Sequence, residues 1–255
     1  MRPLIAGNWK MHGMAPQLGE IEAVAASVKA APPSADVLIC VPATLIARAA
    51  QTAAGRIAIG GENCSAEISG AFTGDLSAEM LKDAGASAVI LGHSERRHLH
   101  GETDAIVEAK ARAARRAGLL AIICIGETEA QRQAGNALAV CGDQIAGSVP
   151  EGMMSSGTVI AYEPLWAIGS GHMPTPGEIT EVHAYIRRSL EARLAGEGNK
   201  VRILYGGSVK PANARAILAL PEIGGLLVGG ASLNAVDFEA IFRAVPNAEL
   251  TRTMA

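Results

Sequence analysis

The chain has 255 residues, a length that fits one α/β barrel as readily as two ordinary domains. Its 22 Lys+Arg against 25 Asp+Glu leave a net charge of −3, without the basic excess of a nucleic-acid-binding surface, and 49% hydrophobic residues are too many for a disordered chain. Aromatics are scarce at 3%, so the core is expected to consist of Ala, Val, Ile and Leu; the 29 glycines and 12 prolines, together about one residue in six, fall short of low-complexity composition and are expected at particular backbone positions.

In chain order, short apolar runs recur at 4–9, 36–41, 57–61, 88–92, 119–125, 158–163, 201–205 and 225–229. Each is continuous rather than alternating, which suits strands buried on both faces of a parallel sheet, and their spacing is that of one βα unit. Between them, 17–30 places Leu18, Ile21, Val24, Ala25 and Val28 near one helical face, 105–117 does the same with Ile106, Ala109, Ala113 and Ala117, and 177–194 with Ile179, Val182, Ile186, Leu190 and Leu194. A last helix is expected over 236–242. Pro176 and Gly118 punctuate a helix start and a helix stop. No linker divides the chain, and 246–255 reads as a loosely ordered tail. Eight such units admit a closed (β/α)8 barrel or a doubly wound open sheet, and their number and regularity favour a single (β/α)8 barrel over 1–255.

No run is long enough to span a membrane, and the N-terminus lacks the charged region and cleavage site of a secretory leader, so a cytoplasmic protein is expected. Cys40, Cys64, Cys124 and Cys141 form no CxxC pair and read as buried thiols in a reducing compartment.

In a barrel the chemistry lies where strands end. Run one ends in Asn8-Trp9-Lys10, run four in Gly92-His93-Ser94-Glu95, run five in Cys124-Ile125-Gly126-Glu127 and run six in Glu163-Pro164. A strand-end Glu163 is either a desolvated general base or a carboxylate paired with an arginine. His93, preceding a helix-like Ser94-Glu95-Arg96-Arg97, would feel the positive end of the helix dipole, which disfavours imidazolium; it is either a neutral donor to a carbonyl or a structural histidine. Lys10 is placed to stabilise an oxyanion or is simply solvated, and Asn8 points to its side of the strand. His93, His98 and His100 lie close together, but their spacing spreads them over different helix faces and no HExxH occurs, so no metal site is expected. Gly206-Gly207-Ser208 and Gly229-Gly230 end runs seven and eight, each expected to open a helix, where main-chain N–H groups suit a phosphate. There is no P-loop and no nucleophile elbow. The 164–176 stretch, with prolines at both ends and Trp166, Ala167 and Ile168 between, reads as a lid that excludes water, or else as an ordinary loop. The 62–75 loop, opening at Glu62 and closing at Asp75, carries Ile68 and Phe72 and is expected to meet a second copy in a homodimer.

Along nearly its whole length the sequence resembles the triosephosphate isomerase family. The resemblance is carried by Ala6-Gly7-Asn8-Trp9-Lys10, Leu91-Gly92-His93-Ser94-Glu95-Arg96-Arg97, Cys124-Ile125-Gly126-Glu127-Thr128, Ala161-Tyr162-Glu163-Pro164-Leu165-Trp166-Ala167-Ile168-Gly169, Tyr205-Gly206-Gly207-Ser208-Val209 and Leu227-Val228-Gly229-Gly230-Ala231-Ser232-Leu233, all in order. It implies Glu163 as catalytic base, His93 as neutral electrophile, Lys10 as the cation at the substrate with Asn8 beside it, and Gly169, Ser208, Gly229 and Gly230 as phosphate contacts. Ser94, Glu95 and Cys124 match supporting positions, and Gly70-Ala71-Phe72-Thr73-Gly74 matches a loop that inserts into a neighbouring subunit. The implied reaction, between dihydroxyacetone phosphate and glyceraldehyde 3-phosphate through an enediolate, needs no cofactor. His172 stands where lysine is common, and Glu62 where glutamine is common. The alternatives are another phosphate-binding barrel isomerase or epimerase, which would share the glycine pairs but not Asn8, Lys10, His93 and Glu163 together, and a non-catalytic scaffold, which would be expected to have lost one of them.

Overall fold

A computed structural model of the chain describes residues 1–167 and 173–246. Eight parallel strands close into a barrel in sequence order, β1 (Leu4–Asn8), β2 (Asp36–Cys40), β3 (Ala58–Gly61), β4 (Ala88–Leu91), β5 (Leu120–Ile125), β6 (Thr158–Tyr162), β7 (Arg202–Tyr205) and β8 (Gly225–Val228), so the closed alternative holds and the open sheet does not. The seam pairs β8 with β1, Gly225 opposite Leu4. Gly225 is obligatory there: its φ is +144°, and a Cβ would stand 1.9 Å from the Leu4 carbonyl oxygen.

The apolar runs are continuous because the strands bury both faces. One face fills the interior with Leu4, Ala6, Leu38, Cys40, Ala88, Ile90, Ile122, Cys124, Val159, Ala161, Leu204 and Leu227. The other packs against the helical shell. Among the described residues the interior has no aromatic side chain, as composition led us to expect, but the shell differs: Trp9, Tyr162, Tyr205, Phe238 and Phe242 are among its largest fully buried side chains. All four cysteines are buried and unpaired.

The shell comprises α1 (Leu18–Ala30), α2 (Ile46–Ala53), α3 (Ala78–Asp83), α4 (Ser94–Leu99), α5 (Asp104–Arg116), α6 (Glu129–Gln133), α7 (Ala137–Ser148), α8 (Pro176–Arg193), α9 (Pro211–Leu218) and α10 (Ala235–Arg243). The four periodic stretches correspond to α1, α5, α8 and α10. Their boundaries follow from caps. Thr103 accepts from the Ile106 N–H ahead of α5, and Gly118 at φ +68° follows its end. Thr175 and Glu178 form a capping box around Pro176, which is the first residue of α8 rather than the residue before it. Sequence periodicity did not assign α2, α3, α6, α7 or α9. Four of these have eight residues or fewer, too short for a stripe, and α7 buries a mixed row of Ala137, Cys141, Ile145 and Ser148. No described helix is long and apolar enough to cross a membrane.

At the rim where strands begin, Asp36 pairs with Arg202 at 2.9 Å and with Arg2 at 3.1 Å, which ties β1, β2 and β7 at the end of the barrel remote from the strand C-termini.

On α8, His183 is fully buried, edge-on to Tyr162 with ring centroids 5.7 Å apart, and burial pushes its imidazole down to about 4. The unfolded chain takes up a proton near pH 6.5 and the folded one does not, so stability is complete above that pH and is lost as pH falls toward 4. The loss is expected to reach on the order of 3 kcal/mol at pH 4. Denaturant titrations from pH 7 to 4.5 should show a shallower decline in His183→Gln than in the parent, and equal slopes would contradict this account.

Candidate active site

Strand polarity delivers the tails of β1, β4, β5, β6, β7 and β8 to one rim. After β1 the chain turns sharply: Lys10 has φ +58° and its N–H donates to Asn8 Oδ1 at 3.1 Å. Asn8 is itself buried, so this short side chain fixes the turn. The Lys10 side chain then crosses the rim, its Nζ reaching Glu95 Oε1 at 2.6 Å and its Cε passing within 3.8 Å of where a Cβ on Gly229 would lie.

His93 caps α4. The Glu95 N–H donates to His93 Nδ1 at 3.2 Å, which requires a lone pair on that nitrogen and places the ring proton on Nε2. Nε2 faces Glu163 Oε1 at 2.9 Å, and the Ser94 N–H donates to Glu163 Oε2 at 3.1 Å. Glu163 is only 2% exposed. Burial favours its neutral acid, but His93, the Ser94 amide and Lys10 outweigh that and hold its carboxyl below the usual range. Burial pushes the His93 imidazolium down, as does Lys10, yet the adjacent Glu163 carboxylate prevails and the net direction is up. This differs from the lowering that a helix N-terminus alone predicts; the reason is the carboxylate resting against the ring.

Thus Asn8, Lys10, His93, Ser94, Glu95 and Glu163 are brought together. Cys124 lies beneath them, its thiol pushed up by burial and further by Glu163. His98 and His100 are exposed on and after α4, away from the buried His93, and among the described residues no group of three His, Cys, Asp or Glu side chains is placed to hold a metal. Glu62, half-buried near Lys10, is pushed up to about 8 by burial against the opposing Lys10 amide.

The glycine turns sit at the same rim. Gly207 has no room for a side chain, since a Cβ would lie 2.1 Å from the Tyr205 hydroxyl. Ser208 is held through its carbonyl, which accepts from Asn213 Nδ2 at 2.9 Å. Gly230 begins a single 3-10 turn (Gly230–Leu233), whereas α9 begins only at Pro211, so the two turns do not open helices alike. Trp9 braces the β8 turn from below, its Nε1 donating to the Ser232 carbonyl at 3.0 Å, and Ser232 Oγ donates to the Gly229 carbonyl at 2.7 Å.

Sequence reading gave no role to Glu127, just past β5. Completely buried, its Oε1 accepts from Trp166 Nε1 at 2.8 Å and from the Tyr162 hydroxyl at 3.1 Å. The Arg132 guanidinium lies 5.2 Å from the Trp166 ring centroid and pairs with Glu178 of α8 at 2.7 Å. The first segment of the 164–176 stretch is therefore bolted to the β5 and β6 ends. At its far end, Asn213 Nδ2 approaches Met173 Sδ at 3.3 Å. Gly169 and His172, with the rest of the tip at 168–172, lie outside the described residues, as do 247–255 of the tail. The signal for Glu127 was its place at a strand end, the same that marked Glu163.

The family model described as triosephosphate isomerase matches residues 3–245. Triosephosphate isomerase of Rhodopseudomonas palustris is 57% identical over 249 residues, covering 96% of this chain and 98% of its own, and that of Afipia carboxidovorans is 58% identical over 247 residues with the same coverage. The crystal structure of triosephosphate isomerase from Bartonella henselae aligns with a TM-score of 0.90 at 48% identity, over 96% of this chain and 99% of that one. These matches favour neither a different barrel isomerase nor a scaffold. With its eight-stranded barrel and these relatives, the chain belongs to the triosephosphate isomerase family.

Proposed function

We propose that the chain is the intramolecular aldose–ketose isomerase for which its family is named, interconverting dihydroxyacetone phosphate and glyceraldehyde 3-phosphate in glycolysis and gluconeogenesis, in the cytoplasm. The observation that carries the assignment of roles is the contact of Glu163 Oε1 with His93 Nε2 at 2.9 Å, with the Lys10 ammonium across the same rim. Glu163 removes the proton from the carbon beside the substrate carbonyl and returns it to the neighbouring carbon. The enediolate formed between these steps carries its charge on oxygen, toward the His93 N–H and Lys10. Main-chain N–H groups at Gly169, Ser208, Gly229 and Gly230 hold the phosphate, with Asn8 beside Lys10, and closure of the 164–176 lid keeps water from the enediolate. Carboxylate, imidazole and ammonium suffice, so no cofactor enters the reading.

A homodimer belongs to the same proposal. Ile68 and Phe72 are about half-exposed on the 62–75 loop, too apolar to face water alone, and a cavity of about 700 Å³ lined by Lys10, Asn63, Cys64, His93, Glu95 and Leu99 has the size to receive such a loop from a second copy. Seating it there would brace the Lys10 turn from outside.

Glu163→Asp withdraws the base by one methylene and is expected to lower kcat by about a hundredfold in a coupled isomerase assay, with KM within a few-fold; activity equal to the parent would end the assignment of the base. Phe72→Asp places a charge in the proposed interface. Sedimentation should show dimers for the parent at micromolar concentration and monomers with reduced kcat for the variant, whereas a monomeric parent would remove the dimer.

A further inference from the structure

The reach of Glu163 is decided by its backbone. Its N–H donates to the Ile125 carbonyl at 2.7 Å, and the Leu165 N–H donates to the Glu127 carbonyl at 3.1 Å. Between these two contacts lies Gly126, so tightly apposed that a Cβ would stand 1.8 Å from the Glu163 carbonyl oxygen and 3.2 Å from Leu165 Cδ1. The segment carrying the base and the lid's first hinge thus rests backbone on backbone upon Gly126. Glycine is the residue least able to hold its own conformation.

One side chain holds it. The Gly126 N–H donates to Gln144 Oε1 at 2.7 Å, and Gln144 Nε2 donates to the Gly126 carbonyl at 3.2 Å. A carboxamide offers donor and acceptor side by side for such a two-point pairing, which an ionised carboxylate does not. Gln144 belongs to α7, in the outer layer, and with Gly126, Ser94, Cys124 and Glu163 it lines a cavity of about 220 Å³ behind the base. Without the carboxamide, both polar groups of Gly126 would be free to turn toward that space.

The geometry points to Gln144 as a positioning residue for the isomerisation: by locking the peptides on either side of Gly126 it fixes the backbone of Glu163 and of the lid hinge without touching substrate. This rests on the reading of Glu163 as the base. Gln144→Met keeps the length and bulk but neither hydrogen bond, and Gln144→Glu keeps only the acceptor for the Gly126 N–H. Gln144→Met is expected to lower kcat at least tenfold and Gln144→Glu by an intermediate factor, since small displacements of a reacting group are costly. Competitive inhibition by inorganic phosphate, three of whose four proposed contacts lie in the β7 and β8 turns and only one in the lid, should weaken less than threefold. In a Glu163→Asp background, where the base is already misplaced, Gln144→Met should cost less than threefold, because the two act through one group. Losses below twofold in kcat, equal factors in both backgrounds, or phosphate affinity falling in step with kcat would overturn the inference. If Gln144→Met does not fold, Gln144→Glu alone decides by the same kcat and phosphate criteria. An unimpaired Glu163→Asp single variant would instead overturn the base itself, a separate result.

Discussion

A carboxylate that is ionised yet almost wholly out of water must be met by donors, and much of this rim is arranged to meet Glu163. An uncompensated charge in that position would cost several kcal/mol. The His93 N–H and the Ser94 amide supply the compensation, and the turn at the head of α4 presents both together. A base occupied in this way takes no proton from a substrate, so on the proposed function the carboxylate would exchange these partners for the substrate carbon. His93 would make the matching exchange with its proton already on Nε2, the N–H that now donates to Glu163 being the one offered to a substrate oxygen. Departure of the carboxylate would also remove the main influence that raises the imidazole, leaving burial and Lys10, which push it down, against Glu95, which pushes it up. On that reading the neutral donor expected from sequence would belong to a position of Glu163 other than the one found here.

How legible this was in sequence depended on whether a feature is local. All eight strands were visible because burial of both faces leaves unbroken apolar runs, with ends within a residue or two of those found. α1, α5, α8 and α10 were visible because 9 to 18 residues give a stripe room to repeat. The residues gathered at this rim were visible because parallel strands send their ends to one side, so a list of strand ends becomes a list of neighbours. Contacts between distant segments left no such trace. That Glu127 would collect both Trp166 and Tyr162, or that a glutamine on α7 would seize Gly126, follows from packing that no spacing encodes. The direction of His93 escaped for a related reason, since it is set by a residue 70 positions away.

The two rims divide the work. Where strands begin, Asp36 is clamped by Arg2 and Arg202, a purely structural use of charge. Where they end, Lys10 pairs with Glu95 and His93 with Glu163 across the mouth of the barrel, a use of charge that gathers polar groups at one place instead of tying strand to strand. A chain of net charge −3 has no global attraction for an anionic substrate; any attraction must come from the local field at this rim, from Lys10 and oriented main-chain N–H groups.

The glycines support that division. Gly126 and Gly225 are required by close approach, the first to Glu163 and the second to Leu4, and Gly118 by its left-handed turn. Gly230 answers to neither demand. Its φ is not positive, and a Cβ there would meet nothing within 4 Å. The protein alone gives no reason for glycine at this position. On the proposed function a phosphate drawn up to the bare main chain would supply one, because a side chain on Gly230 would occupy the space through which the N–H groups are approached.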